Sequence, residues 1–232
     1  LWPRHPDPHA DVRLTPNAVF FPAAHGCLVM IAGVIAVQGD VSEHAAAIRR
    51  AAAAHDVDCE VREIRTSGVL GDCDVLLMPG GESTTISRLL ADEGIDDEIR
   101  THVETGNPVL ATCAGLIVAS TDAKDDRVRT LDLLDVSVDR NAFGRQKDSF
   151  EAPLDIDDLD EPFPAVFIRA PLIDAVDDEV EVVADWEGNP VAVRQGPIVA
   201  TSFHPELTPD TRLHQLAFFR DNKAVATREV DQ

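Results

Sequence analysis

The chain has 232 residues, and 44% of them are hydrophobic, which is enough for the core of one large α/β domain or of two small ones. Its formal net charge is −22, so nucleic acids and anionic membranes are poor partners because like charges repel. No apolar run reaches the roughly 18 residues that a transmembrane helix needs, which excludes a hydrophobic membrane span.

The acidic residues are spread along the chain instead of being gathered in a tail, which is typical of a solvated surface. Of the 20 basic residues, only three are lysines: Lys124, Lys147 and Lys223. A lysine-poor, aspartate-rich surface resembles that of proteins from a high-salt cytoplasm, where screening relieves the self-repulsion of the chain. We therefore predict a halophilic protein whose charge reflects its solvent and not its ligand.

Cysteine usage favours a reducing compartment. The four cysteines, Cys27, Cys59, Cys73 and Cys113, form no C-x-x-C pair and no Cys/His cluster with zinc-ligand spacing. A disulfide framework is uncommon in a chain of this size and cysteine content, so we predict a cytoplasmic protein without a structural metal.

Residues 1–29 differ from the rest of the chain. They hold five of the 15 prolines, show no clear periodicity and carry charges that cancel. They lack the basic start and continuous apolar core of a secretory signal. We predict that 1–29 are a poorly ordered extension or a start-site artefact, that 30–232 form a single domain, and that deleting the first segment leaves activity intact.

Strands and helices alternate from residue 31 onward. Ser42 is the predicted N-cap of the first helix. The predicted strands are 31–37, 58–64, 74–78 and 108–112, and the predicted helices are 43–54, 83–92 and 96–104, with another helix opening at Ala114. Strands and turns then dominate, with predicted strands at 131–139, 165–171, 179–186, 191–195 and 197–203 and a last helix over about 209–221. This alternation predicts the α/β class, as a three-layer α/β/α sandwich with a mixed, mostly parallel central sheet.

The stretch PVLATCAGLIVAS places Cys113 at the end of a buried strand, in a turn with small neighbours. A buried cysteine is most often a small core hydrophobe. A strand–nucleophile–helix turn, however, needs small neighbours because it is cramped, and here Ala111 stands where the G-x-S-x-G elbow has its first glycine. The helix start beneath the sulfur would favour its thiolate form.

The SFHPE stretch supplies a histidine and a carboxylate at the end of another buried strand. His204 and Glu206 are two residues apart, so in an extended segment their side chains point the same way. A nucleophilic cysteine needs a base, and the base needs an orienting partner. Cys113, His204 and Glu206 supply all three, although a single His-x-Glu in a loop is usually unremarkable.

The PGGES stretch is a glycine turn at the end of a third strand. Paired glycines permit positive φ and a close approach of the backbone to a ligand, although many such turns are only turns. The N–H groups of Gly81 and Ala114 could meet at one point, where they would form an oxyanion hole.

Five motifs in a fixed order carry a specific resemblance: PGGESTT, TCAGLIV, DRNAFGRQKDSFEA, FIRAP and SFHPELT. Together with AVQGDVSEH near the first strand, they resemble the glutaminase subunits of pyridoxal 5′-phosphate synthases, within the class I, triad-type glutamine amidotransferases. The resemblance runs from about residue 31 to residue 219. RNAFGRQ and FIRAP point to this family and not to amidotransferases in general.

The resemblance implies hydrolysis of L-glutamine to L-glutamate and ammonia. Cys113 would attack the side-chain amide to form a glutamyl thioester, His204 would move the protons and Glu206 would orient His204. Gln38, in the first-strand loop, is implied to help set the oxyanion region and to sense a partner. The residues that the family motifs place at the substrate are Gly81, Glu82, Ser83, Arg140, Ile168 and Arg169. An arginine is also the side chain that a glutamine α-carboxylate needs.

The partner implied by the resemblance is a synthase subunit with a (β/α)8 barrel, which receives the ammonia internally. The family assembles twelve glutaminases around twelve synthases, and pyridoxal 5′-phosphate is the product of the complex, so no cofactor is expected in this subunit. Three alternatives stay open: a glutaminase that serves another synthase, a γ-glutamyl hydrolase with the same triad, and a catalytically silent α/β scaffold that binds a partner.

Overall fold

The computed structural model describes residues 28–140, 149–219 and 228–229. Residues 1–27, which make up most of the predicted extension, and residues 141–148 of the RNAFGRQ motif region lie outside this description. The helices of the described residues are α1 (Val41–Ala53), α2 (Ser83–Asp92), α3 (Ile95–Glu104), α4 (Ala114–Ala119) and α5 (Arg212–Phe218), with 3-10 helices at Leu70–Asp72 and Pro205–Leu207. The strands are β1 (Leu28–Ile35), β2 (Asp58–Ile64), β3 (Val75–Met78), β4 (Val109–Thr112), β5 (Ser120–Asp122), β6 (Leu134–Asp139), β7 (Phe150–Leu154), β8 (Phe163–Phe167), β9 (Leu172–Val176), β10 (Glu181–Trp186), β11 (Asn189–Gln195), β12 (Ile198–Thr201) and β13 (Arg228–Glu229).

The central sheet is mixed and mostly parallel, as predicted. Five parallel strands lie in the order β2-β1-β3-β4-β12, and β11 and β10 continue the sheet in antiparallel pairing. The two-residue β13 pairs antiparallel with the start of β1. Every residue of β3, β4 and β12 is buried, which explains why these strands are continuous apolar runs in the sequence.

Helices cover both faces of this sheet and give the predicted three layers. Leu76 and Met78 of β3 belong to one apolar cluster, which they share with α2, α3 and α4. Val75 and Leu77 belong to the opposite cluster, which they share with α1 and α5. The alternation along a single strand therefore divides the core in two, because successive side chains point to opposite faces.

Two helix ends differ from the prediction. The N-cap of α1 is Asp40 and not Ser42, whose hydroxyl instead donates to Glu43 Oε2 at 2.8 Å, because the loop after β1 enters the helix earlier. The last helix is shorter than 209–221 at its start, because Asp210 Oδ1 accepts the Arg212 N–H at 3.0 Å and holds the chain in a turn.

The second half of the chain is less regular than predicted. The predicted strand 165–171 is β8, which ends at Phe167, and Arg169 has a φ of 44° that turns the chain away. The predicted strand 131–139 begins only at Leu134. Strands β5, β6 and β9 form a separate three-stranded sheet, and β7 pairs with β8 alone, so not all of these strands join the central sheet.

The carboxyl ends of β1, β3, β4 and β12 lie side by side, because these four strands are parallel neighbours. We call this row of strand ends the carboxyl edge of the sheet. In open α/β sheets, ligands bind at such an edge. Across the described residues, every helix is too short or too polar to cross a membrane.

Candidate active site

The carboxyl edge carries the segments that the sequence marks as chemically unusual. The segments that follow the four strands are 36–40 after β1, 79–82 after β3, Cys113 after β4 and 202–206 after β12. The fold therefore brings the PGGES, ATCAG and SFHPE stretches together, although they are far apart in the sequence.

Cys113 occupies a strained turn between β4 and α4. Its backbone angles are φ 50° and ψ −103°, which an L-amino acid rarely adopts. Its N–H donates to the Thr201 carbonyl at 2.8 Å, and its own carbonyl accepts the Ile117 N–H at 3.2 Å. The residue keeps 8% of its surface exposed. This is the geometry of a nucleophile elbow, which lifts a side chain above the end of its strand.

Gly115 is the small residue that this elbow requires. A Cβ at Gly115 would lie 2.2 Å from the Met78 carbonyl oxygen, so only glycine fits between α4 and β3. Ala111, by contrast, lies inside β4, where it pairs with Met78 and Ala200 and is fully buried. The sheet accommodates its methyl group, so this elbow needs no glycine at its first position.

His204 and Glu206 form a buried pair beside Cys113. The backbone N–H of His204 donates to the Val166 carbonyl at 2.9 Å, which fixes the segment after β12. The Glu206 carboxylate can only accept, so Nδ1 of His204 donates to its Oε1, at 2.6 Å. The Cys113 sulfur lies close enough to the same ring to raise the pKa of His204. The imidazole of His204 therefore interacts with both the sulfur and the carboxylate.

This arrangement sets the protonation of the histidine. Burial lowers the pKa of His204, but interactions with the acceptors Cys113 and Glu206, including their negative charges, outweigh burial and raise the pKa to about 10. Burial raises the pKa of Glu206, but the neighbouring His44 and His204 bring it below its ordinary value. The site therefore holds an imidazolium between a carboxylate and a sulfur atom that can carry negative charge.

The glycine turn after β3 lies against the histidine. A Cβ at Gly80 would lie 2.5 Å from His204 Cε1, and Gly81 has a φ of 148°. Both glycines are thus required by close approach or by backbone conformation. Gly81 and Ala114, the two predicted oxyanion donors, follow the neighbouring parallel strands β3 and β4.

The loop after β1 fixes the glycine turn. Gln38 Oε1 accepts the Glu82 N–H at 2.8 Å, and a Cβ at Gly81 would lie 2.6 Å from the same oxygen. Gly39 has a φ of 111°, and a Cβ there would lie 1.9 Å from the Gly80 carbonyl oxygen. Gln38 therefore contacts the glycine turn directly.

Glu82 and Arg140 form an ion pair at the rim of the site. Glu82 caps α2 by accepting the Thr85 N–H at 2.7 Å. The hydrogen bonds that Glu82 accepts, of which the one from the Thr84 hydroxyl has the largest effect, lower the pKa of Glu82 to about 2. Arg140 Nη2 donates to Glu82 Oε1 at 3.0 Å, and its Nη1 lies 3.4 Å from Asp125 Oδ2. Nη1 is buried and makes no hydrogen bond to the described residues, so Asp125 holds it by charge alone.

Three further predicted substrate residues lie around this rim. Ser83 is the first residue of α2 and is buried. Ile168 and Arg169 directly follow β8, which the backbone bond between His204 and Val166 ties to the site. Ile168 is half-buried, while Arg169 is exposed.

His44 lies directly behind the triad, although it belongs to none of the three stretches, PGGES, ATCAG and SFHPE, that mark the site. Its Nε2 is 3.1 Å from Thr112 Oγ1 and 3.5 Å from Glu206 Oε2. The available signal was a histidine on the apolar face of a predicted helix, in register with Ala47, Ile48 and Ala51.

Comparisons with known proteins agree with the family that the motifs indicate. A family model described as the SNO glutamine amidotransferase family matches residues 34–223. Relatives named "Pyridoxal 5'-phosphate synthase subunit PdxT" include one from Haloquadratum walsbyi, 73% identical over 188 residues, which cover 81% of this chain and 92% of the relative. One from Halobacterium salinarum is 73% identical over 192 residues, which cover 83% and 95%. One from Methanosarcina acetivorans is 51% identical over 187 residues, which cover 79% and 94%.

Solved structures of glutamine amidotransferases resemble this chain. One described as "Crystal structure of glutamine amidotransferase" has a TM-score of 0.72 and 41% identity, over 81% of this chain and 97% of that chain. A glutamine amidotransferase from Thermotoga maritima, with a TM-score of 0.55 and 14% identity over 85% and 88% of the two chains, shares the fold. The family model covers well over half of the chain, and this protein therefore belongs to the SNO glutamine amidotransferase family.

Proposed function

We propose that this chain is the glutaminase subunit of a pyridoxal 5′-phosphate synthase, which hydrolyses L-glutamine to L-glutamate and ammonia. The observation that carries the proposal is the buried, hydrogen-bonded pair of His204 and Glu206 beside Cys113, which occupies a strained strand–helix turn. The choice of synthase is supported by relatives of 70–73% identity that are named as PdxT subunits of that enzyme.

The reaction begins with the sulfur of Cys113, which as a thiolate attacks the side-chain carbonyl carbon of glutamine. The N–H groups of Gly81 and Ala114 stabilise the oxyanion that forms. The His204 imidazolium gives its proton to the leaving nitrogen, so the C–N bond breaks and ammonia departs from a glutamyl thioester. Neutral His204 then removes a proton from water, which attacks the thioester and releases glutamate and the cysteine sulfur.

Substrate recognition is assigned to the rim. The Arg140 guanidinium, held by Glu82 and Asp125, pairs with the glutamine α-carboxylate, and Glu82 faces the substrate's ammonium group. Ser83, Ile168 and Arg169 complete the contacts, and Gln38 passes changes at the partner surface to the oxyanion turn through its bond to Glu82.

The partner is a synthase subunit with a (β/α)8 barrel that takes up ammonia before it is protonated by water. We propose an assembly of twelve glutaminases around twelve synthases, with the triad facing the partner. The glutaminase itself uses neither a metal nor a cofactor, because the thiolate and the histidine supply the nucleophile and the acid–base group.

The decisive experiment measures glutamate release from glutamine by the chain alone and with the synthase subunit, in molar KCl. We expect weak release alone, strong release with the partner, and none from Cys113→Ala. Cys59→Ala is the matched control, because Cys59 is also a free thiol but lies on β2. Full activity of Cys113→Ala would refute the mechanism. Glutaminase activity that the synthase never binds or stimulates would instead favour another synthase or a γ-glutamyl hydrolase, and a chain inactive under all conditions would favour a silent scaffold.

A further inference from the structure

His44 is a buried titratable group that the reaction above does not use. It lies on the buried face of α1 and has no exposed surface. Burial is the largest influence on its pKa and lowers it, although the charge of Glu206 opposes this effect. The ring is therefore neutral at physiological pH, and one of its two nitrogen atoms carries a proton.

The contacts of His44 join the two halves of the triad. Its Nε2 lies 3.1 Å from Oγ1 of Thr112, the residue before Cys113, and 3.5 Å from Oε2 of Glu206. Oε2 is the carboxylate oxygen that His204 does not use, since His204 contacts Oε1. One nitrogen atom therefore reaches both the strand that presents the nucleophile and the carboxylate that orients the base.

The surroundings select the tautomer of His44. Nδ1 is buried without a hydrogen-bond partner among the described residues, while Nε2 faces two oxygen atoms. A lone pair on Nε2 would point at a carboxylate oxygen and be repelled by it. The proton therefore belongs on Nε2, where it faces the Thr112 hydroxyl and the negative charge of Glu206.

Glu206 needs such a donor. Its side chain has no exposed surface, and Oε2 makes no hydrogen bond within the described part of the chain. A buried carboxylate with one unpartnered oxygen is costly to keep ionised. It can also rotate away from the partner of its other oxygen. A Nε2–H group at 3.5 Å opposes both effects and can close to a full hydrogen bond with a shift of about 0.5 Å.

We propose that His44 is a positioning residue, which holds the Glu206 carboxylate through Nε2–H and thereby keeps His204 oriented toward Cys113. The proposal rests on the proposed function, since it assigns a fourth member to the same triad. His44 touches neither the substrate nor the sulfur, so its effect passes entirely through Glu206 and Thr112.

Other charged and titratable groups near His44 do not replace this role. Glu43, at the start of α1, is exposed, and the half-exposed Asp40 carboxylate lies 3.8 Å from His204 Nδ1. His214, on α5, has its ring centre 6.3 Å from that of His44, and burial lowers its pKa to about 3, so it is neutral. His204 and Glu206 are the buried charged groups on this side, and only Glu206 carries the charge that a ring N–H stabilises.

The test compares His44→Gln, His44→Asn and His44→Leu in the full chain. Glutamine places its amide nitrogen at about the reach of Nε2, asparagine at about the reach of Nδ1, and leucine offers no donor. The first readout is the rate of Cys113 alkylation by iodoacetamide as a function of pH, followed by mass spectrometry. The second is kcat and KM for glutamine with the synthase subunit present. Alkylation needs no substrate or partner, so it tests the triad even if the proposed reaction is wrong.

We expect His44→Leu and His44→Asn to lower kcat about 10- to 100-fold with KM nearly unchanged. The alkylation midpoint should rise by about one pH unit, because a less well held Glu206 stabilises the His204 imidazolium, and hence the thiolate, less well. His44→Gln should recover most of both effects. If the glutamine and asparagine variants are equally impaired, or if the leucine variant alkylates with the unaltered pH profile, the proposal is overturned.

His102→Leu is the matched control for the loss of a buried histidine. His102 is buried on α3, and its Nε2 contacts the Pro108 carbonyl at 3.4 Å, at the opposite end of β4 from Cys113. This variant should lose stability without moving the alkylation midpoint. A midpoint shift equal to that of His44→Leu would mean that general destabilisation explains the effect and would overturn the proposal.

Discussion

The carboxyl edge of the sheet and the acidic outer surface use charge in opposite ways. At the edge, Glu206 is 4% exposed and its oxygen lies 2.6 Å from His204 Nδ1. On the surface, the Arg62–Glu60 ion pair leaves the two side chains 31% and 52% exposed. Water and salt screen the second pair but not the first. A few buried charged groups therefore carry the chemistry, whereas the net charge of −22 suits the whole surface to a high-salt solvent.

The same contrast holds for the backbone. At the carboxyl edge, glycines lie so close to their neighbours that a single added carbon would collide, as at Gly39 and Gly115. Away from this edge, a Cβ at Gly71 or Gly106 would meet nothing within 4 Å. The carboxyl edge therefore tolerates almost no change in shape, whereas the outer turns do.

Glu206→Gln should produce the largest effect. The amide keeps the shape of the carboxylate but loses the charge that stabilises the His204 imidazolium, so we expect kcat for glutamine to fall about 100- to 10,000-fold. Steady-state kinetics with the synthase subunit measure it. Glu60→Gln is the control, because Glu60 is an exposed carboxylate paired with Arg62. A Glu206 variant that is no slower than this control would contradict the assigned role.

The raised pKa of His204 also predicts a pH dependence of stability. The folded state binds this proton more tightly than the unfolded state, whose pKa is near 6.5, so its contribution is complete below about pH 6.5 and is lost as the pH rises toward about 10. Urea unfolding in molar KCl should show a falling free energy of unfolding across this range. Glu206→Gln should flatten the slope, and equal slopes for the two proteins would count against the buried ion pair.

Gly115→Ala should unfold or distort the elbow. Its Cβ would lie 2.2 Å from the Met78 carbonyl oxygen, and backbone atoms cannot move aside as a flexible side chain can. We expect a loss of about 1 to 3 kcal/mol in the free energy of unfolding, together with slower Cys113 alkylation. Gly71→Ala, with open space at its Cβ, should change stability by less than about 0.5 kcal/mol. Equal effects of the two substitutions would show that the elbow is not tightly packed.

Substitutions at Glu82 test whether its capping of α2 can be separated from its ion pair with Arg140. Glu82→Ala removes both and should cost about 1 kcal/mol of stability while raising KM for glutamine. Glu82→Gln keeps an oxygen acceptor for the Thr84 and Thr85 N–H groups but loses the ion pair with Arg140. It should therefore recover most of the stability and still raise KM. Unchanged KM in both variants would remove Glu82 from substrate recognition.

Much of the fold could be predicted because the central strands are uniform. β3, β4 and β12 are short apolar runs that end in glycine, cysteine or histidine stretches, so both their existence and their carboxyl ends were evident. The outer strands were less evident, because β7 to β9 pair in small sheets whose partners depend on long-range packing and not on local pattern.

The candidate site was predictable only where a residue belongs to a motif. Cys113, His204 and Glu206 lie in short stretches whose composition is itself unusual. His44 does not, because a histidine on an apolar helix face looks the same whether it fills the core or supports a carboxylate. His44 comes within 3.5 Å of Glu206 only because α1 packs against the Pro205–Leu207 3-10 helix, which carries Glu206. Such a contact joins residues 162 positions apart (206 − 44), and no local pattern encodes it.

A surface ion pair should have the smallest effect, and salt should reveal it. Arg62 donates to Glu60 Oε1 at 2.8 Å and to Asp72 Oδ2 at 3.3 Å, all on the outer surface. Arg62→Gln should change the free energy of unfolding by less than about 1 kcal/mol in dilute buffer, and by almost nothing in molar KCl, where the Debye length is about 3 Å.

The melting temperature of the unaltered chain should instead rise steeply from low to molar KCl, because screening relieves the repulsion among all its acidic groups. The relatives of 73% identity come from halophilic hosts, which agrees with the interpretation of the acidic surface as an adaptation to high salt. Thermal melts of both proteins across a KCl series give the comparison, and a melting temperature that ignores salt would mean that the acidic surface is not an adaptation to it.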